Sequence, residues 1–173
     1  MIRSFAAILL LALCGCERAP ESYPVPEQRR PVEAANPAAD MMIDLGSPDV
    51  EPHIVKDVYD NSGSPWRWTD AEPTLKVLVF TTAHVKLTAD FSIWDEGFKQ
   101  TGPLELSFLV NGNTLDHVRY TSPGPKHFEK AVPPGWLVTD VETNISVKID
   151  RLYVSPRDGK KFGIILSSIG FVE

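Results

Sequence analysis

The residues of this 173-residue chain that can do chemistry fall into three groups: a cysteine near the amino end, four tryptophans, and a short run of oxygen-bearing side chains. Cys16 follows Leu13-Cys14-Gly15, behind a lone Arg3 and the apolar stretch Phe5 to Leu13. That stretch is far shorter than the ~20 residues needed to cross a bilayer, so residues 1–15 are expected to be an export signal. Trp66, Trp68, Trp94 and Trp136 offer flat apolar faces of the kind that pack against the C–H face of a pyranose. Trp66 and Trp68 stand two apart, so on a strand they share a face. The competing role for all four is to close the ends of a core, where large aromatics are commonly found. Asp57, Asp60 and Asn61 carry oxygens that a hard cation such as calcium accepts. Tyr59 stands where an EF-hand would place its third-position ligand, so a solvated turn bonded to its own backbone is the simpler reading.

Catalytic patterns are missing from the sequence. It holds no Gly-x-Ser-x-Gly elbow, no His-Glu-x-x-His and no phosphate-cradling glycine loop. His53, His84, His117 and His127 are scattered, with no spacing that pairs two on one metal. Asp95 and Glu96 are adjacent and would diverge on a strand, so they do not make the carboxylate pair of a glycosidase. The expectation is a domain without catalytic residues or cofactor; a small envelope hydrolase is the remote alternative. The net charge of −6 grows by one negative unit when Arg3 leaves with the signal, which disfavours nucleic acid and other polyanions as partners. The two cysteines are both in the first 16 residues, so the domain beyond them has no disulfide and must stand on its apolar core.

The elements that position these groups read as strands. Residues 16–40 carry Pro20, Pro24, Pro26, Pro31 and Pro37 and no hydrophobic period, which predicts a disordered tether reaching about 70 Å when extended. Residues 41–173 are expected to fold as one domain. Met41 to Leu45, Trp66 to Trp68, Thr74 to Phe80, Val85 to Phe91 and Asn144 to Ile149 are expected strands, separated by a polar loop over Asp57 to Pro65 and by Pro123-Gly124-Pro125 and Pro133-Pro134-Gly135. Leu104 to Val110 and Thr114 to Tyr120 flank Asn111-Gly112, the signature of a hairpin with a two-residue type I′ turn. Phe162 to Leu166 is apolar on both faces, as a central strand requires. No helix-length window shows the 3.6 period, and Ile93 to Gly97 is read as a loop. The fold class is all-β: a single antiparallel β-sandwich, or jelly roll, after the signal and tether.

Two resemblances add to this reading. Leu13-Cys14-Gly15-Cys16 resembles the lipobox of bacterial lipoproteins, in which a signal peptidase cuts before the cysteine. The resemblance implies a diacylglycerol thioether and an acylated amine on Cys16, enough acyl chain to hold the domain at a membrane surface. Glu17 is not the aspartate that retains enteric lipoproteins at the inner membrane, so the resemblance leans toward the outer membrane and the periplasm. The run Thr101 to Gly112 and the run Arg151 to Phe171 are similar to strand-and-turn segments of bacterial galactose-binding-like jelly rolls, which look like carbohydrate-binding modules. That likeness implies a non-catalytic binding module for a glycan or an envelope protein, and a structural calcium as an occasional companion. An accessory lipoprotein docking on an envelope complex is the alternative, and its mark would be an exposed apolar patch.

Overall fold

The computed structural model describes residues 41–60 and 63–173. The signal, the tether, Cys16 and Asn61 lie outside the described residues. Eleven strands run through the domain: β1 Met42–Asp44, β2 Ile54–Val58, β3 Arg67–Leu78, β4 Lys86–Ile93, β5 Leu104–Val110, β6 Asn113–Tyr120, β7 Gly124–Ala131, β8 Glu142–Ile149, β9 Tyr153–Val154, β10 Lys161–Phe162 and β11 Ile165–Val172. One layer orders β6-β5-β8-β3 with β2 on the outer side of β3, and the other orders β11-β4-β7. Every pairing is antiparallel. β3 stitches the layers together: its start pairs with β11 at Trp68↔Ile165, and its end pairs with β8 from Thr74 to Leu78. β1 continues the same flank of β11 at Ser168 to Gly170. The result is the expected antiparallel jelly-roll sandwich.

The core lies between the layers and is aromatic at its centre. Phe108 of β5 stacks on Phe128 of β7 with ring centroids 3.6 Å apart, while Phe91 of β4 meets Tyr120 of β6 edge-on at 5.4 Å. Leu104, Leu106, Phe108 and Val110 form the buried face of β5. Leu109, on the opposite face, sits at a bulge where the β6 partner steps from Asp116 to Thr114. Asn111 (φ 49°) and Gly112 (φ 79°) supply the two left-handed residues of the type I′ turn. Burial of about 25 cal/mol per Å² of apolar surface is the main stabilising contribution in a domain without disulfides.

Four expectations need correction. Phe162 to Leu166 is not one strand: Phe162 ends β10 and β11 begins at Ile165, the Gly163 N–H and Ile164 O between them bonding to Thr69 of β3. Most of the segments 66–68 and 74–80 lies in one twelve-residue strand, β3, which runs from Arg67 through Pro73 to Leu78. Proline is tolerated there because the ladders to β2 and β8 record no partner between Asp70 and Pro73. The loop from Asp57 begins later than expected, since Asp57 and Val58 close β2; Asp57 takes φ 59° and its Oδ2 accepts the Glu72 N–H at 3.1 Å. Ile93 to Gly97 is no loop: Ile93 closes β4, and Trp94 is the N-cap of a helix, α1, at Asp95–Thr101. Seven residues span two turns, too few to show the i, i+7 repeat. Local chemistry starts and stops it. Asp95 and Glu96 occupy the positive end of the dipole, Lys99 pairs with Glu96 at 2.6 Å, and Gly102 (φ 69°) returns its N–H to Phe98 O at 2.8 Å.

Candidate functional site: an aromatic groove at one end of the sandwich

β3, β9, β10 and the start of α1 converge at one end of the sandwich. Ile165 pairs with Trp68 on one side and with Ser92 on the other, so the end of β4 that leads into Trp94 lies beside the start of β3. The rings meet in a chain: Trp66 to Trp68 at 6.1 Å, Trp68 to Trp94 at 5.6 Å, Trp94 to Tyr153 at 5.0 Å, each near-perpendicular. Phe162 of β10 closes on Trp68 at 5.2 Å and on Tyr59 at 5.5 Å. Such edge-to-face contacts contribute about 0.5–1.5 kcal/mol each beyond area burial, so the rings hold one another in place. None of the tryptophans is fully buried.

Trp68, Trp94, Tyr153, Phe162 and Ser155 enclose a surface groove of about 220 Å³. Its floor continues into a tight space of about 10 Å³ bounded by Gly97, Phe98 and Gly163. Two glycines make this approach possible. A Cβ on Gly97 would sit 3.3 Å from the Trp94 ring and 3.4 Å from Tyr153 Cβ. A Cβ on Gly163 would overlap Ile149 Cδ1 and lie 2.7 Å from Asp70 O. The two-stranded ribbon β9–β10 is pinned by Gln100, whose side-chain amide accepts the Val154 N–H at 2.9 Å and donates to Val154 O at 3.4 Å. Beside the groove, the single hydrogen of Tyr59 OH has two acceptors in reach, Lys161 O at 2.8 Å and Asp70 Oδ2 at 3.2 Å. Burial raises the Tyr59 pKa, and the Asp70 carboxylate raises it further.

The sequence singled out four tryptophans, and the structure gathers three. Trp66, Trp68 and Trp94 share the aromatic end. Trp136 packs on the core elsewhere, its carbonyl accepting Asn111 Nδ2 at 3.3 Å beside the β5–β6 turn. Leu104, at the start of β5, borders the aromatic end, so the length of β5 separates Trp136 from it by roughly 20 Å. Tyr59, Tyr153 and Phe162 were not singled out. The signal available for the latter two was an aromatic on each side of the Pro156-Arg157-Asp158-Gly159 turn, a pattern that brings strand neighbours together.

Of the oxygen-bearing run, Asp57 and Asp60 are described, and each has a neighbour of its own. Asp57 serves the Glu72 N–H, and Asp60 Oδ1 lies 4.0 Å from Nη1 of Arg67, a guanidinium that opposes a second cation beside it. That same Nη1 is 2.6 Å from Glu51 Oε1 in a buried-to-exposed ion pair whose angles miss hydrogen-bond geometry. Among the described residues, no three His, Cys, Asp or Glu side chains gather as a metal site, and no helix is long and apolar enough to cross a membrane.

No protein-family model matches this sequence, and no curated protein matches it. Solved structures resemble the fold. The CBM36-1 domain of a multidomain xylanase from the hindgut metagenome of Trinervitermes trinervoides superposes with TM-score 0.37 at 16% identity, over 66% of this chain and 83% of its own. The carbohydrate-binding module CBM36 in complex with calcium and xylotriose gives 0.40 at 10% identity, over 68% of this chain and 91% of its own. A family 35 carbohydrate-binding module from Clostridium thermocellum gives 0.38 at 9%, over 68% and 85%. At this depth of likeness, ligand chemistry has to come from the side chains of this chain itself.

Proposed function

We propose that the domain is a non-catalytic module that binds a neutral saccharide in the aromatic groove, carried at a bacterial cell envelope by lipid on Cys16. The observation that supports the reading is the groove itself: four rings from separate elements around about 220 Å³, with Ser155 also in the lining. Aromatic faces complement the C–H face of a sugar ring, and hydroxyls at the rim complement its oxygens. The volume lies below the roughly 300–1,000 Å³ of drug-sized pockets, so it suits one ring of a glycan at a time. The acidic net charge favours neutral over polyanionic glycans.

The test is a glycan array probed with the mature chain made soluble by Cys16→Ser. Retention of a neutral glycan is expected, with at least about tenfold weaker binding (~1.4 kcal/mol) for Trp94→Ala and little change for Trp136→Ala. Retention of no neutral glycan, or release of new reducing ends during incubation, overturns the proposal.

A further inference from the structure

The opposite end of the sandwich carries a different surface. β3 runs from Trp68 at the groove to Leu78 at the far end, a span of roughly 33 Å. There Leu78 (38% exposed), Phe80 (37%), Val138 (58%) and Val141 (49%) present apolar side chains to solvent. They come together through the backbone. Val79 N–H reaches Val141 O at 3.5 Å, Asp140 N–H reaches Val79 O at 2.8 Å, and Leu78 pairs with Glu142. Of the charges beside them, Glu142 is neutralised by Lys76 Nζ, which holds both its carboxylate oxygens at 3.0 and 3.1 Å, while Asp140, between Val138 and Val141, is an exposed carboxylate.

The chain enters the domain at this same end. Met41 is wholly buried, and its Sδ accepts the Phe80 N–H at 3.4 Å. Met41, the first described residue, therefore lies beside the apolar patch and about one strand-length from the groove. We propose that this end is a bilayer-docking face: Phe80, Leu78, Val138 and Val141 seat in the lipid interface when the chain is held by acylated Cys16, so that the groove points away from the membrane. The inference rests on the lipid-anchor part of the proposed function. Four partly exposed side chains are few beside the roughly 20–30 residues per side of a standard protein interface. A shallow apolar contact of this size gains its strength from the local concentration that anchoring through residues 16–40 imposes. The chain is acidic overall, so the attraction assigned to this face is the apolar one.

The experiment uses the purified lipoprotein on phosphatidylethanolamine–phosphatidylglycerol vesicles, with a spin label at Val138→Cys or, as the groove-end control, at Val154→Cys. Val154 is 43% exposed and neighbours Tyr153. Co-flotation reports the anchor, saccharide binding reports the groove, and collision with oxygen against a nickel chelate reports depth. The expected result is a rise of about threefold or more in the oxygen-to-nickel accessibility ratio at position 138 on vesicles, with no change at 154. Phe80→Ser with Val141→Ser returns the 138 label to water while saccharide affinity stays within about twofold. Co-flotation with both labels equally in water overturns the docking alone, and such a result would leave the patch to a protein partner. Failure to co-float removes the anchor and the docking with it.

Discussion

Gly163→Ala probes how the backbone beneath the groove is packed. The added methyl would overlap Ile149 Cδ1 and press on Asp70 O at 2.7 Å and Thr69 Oγ1 at 2.9 Å. Two of these three neighbours are fixed: one is backbone, and the other is a buried hydroxyl bonded to Ile164 N and O at 3.0 Å each. Ile149 is core with little room to retreat. Relief must therefore come from movement of the Phe162–Ile164 segment, which carries one wall of the groove. Overpacking of this kind costs about 1–3 kcal/mol. At about 2–4 °C per kcal/mol for a domain of this size, the midpoint should fall by roughly 2–12 °C. Urea unfolding followed by tryptophan fluorescence reads the loss directly, as a lower midpoint at unchanged slope. Gly97→Ala is the companion measurement. Its methyl meets the Trp94 ring at 3.3 Å, a contact offset by the gain of about 1 kcal/mol from replacing glycine inside a helix, so the net change should be small. An unchanged midpoint for Gly163→Ala, or equal losses for both variants, would refute the packing described under the groove.

Other outcomes follow from the same geometry. Thr69→Val removes the hydroxyl that accepts the Ile164 N–H in a fully buried position, and a loss of about 1–3 kcal/mol is expected by urea unfolding. Phe128→Ala deletes the partner stacked on Phe108 and should cost about 3–5 kcal/mol, read the same way. Tyr59 has its pKa raised by burial and by Asp70, so the neutral phenol is favoured in the folded state. A group with a raised folded pKa contributes stability below the unfolded value of about 10 that is lost as pH climbs through the folded value. Tyr59→Phe should therefore flatten the decline in stability above pH ~10 and remove a late component of the phenolate absorbance titration.

The parts of this fold that could be read from sequence are those governed by neighbours in the chain. The Asn111-Gly112 turn needs left-handed residues at two consecutive positions, and the alternation Leu104 to Val110 needs only a buried and an open face. Pairings between distant strands leave no such trace. Nothing local tells that Trp68 meets Ile165, or that β3 continues past Pro73 because that stretch lacks a ladder partner. The helix α1 was hidden for another reason. Its cues are an acidic first turn and the C-cap Gly102, both easily taken for loop residues in a two-turn segment. The groove was legible in residue type and not in membership. Tryptophans marked the chemistry, but only the crossing of β3, β9, β10 and α1 selects Trp68 and Trp94 and sends Trp136 to the other end.

The most direct test of the saccharide-groove account is a titration of the soluble mature chain with its best array glycan, following the four tryptophan indole N–H signals by NMR. The Trp68 and Trp94 signals should shift and saturate together while Trp136 stays in place. Movement of Trp136 with the other indoles unmoved, or no movement of any of them, would contradict it.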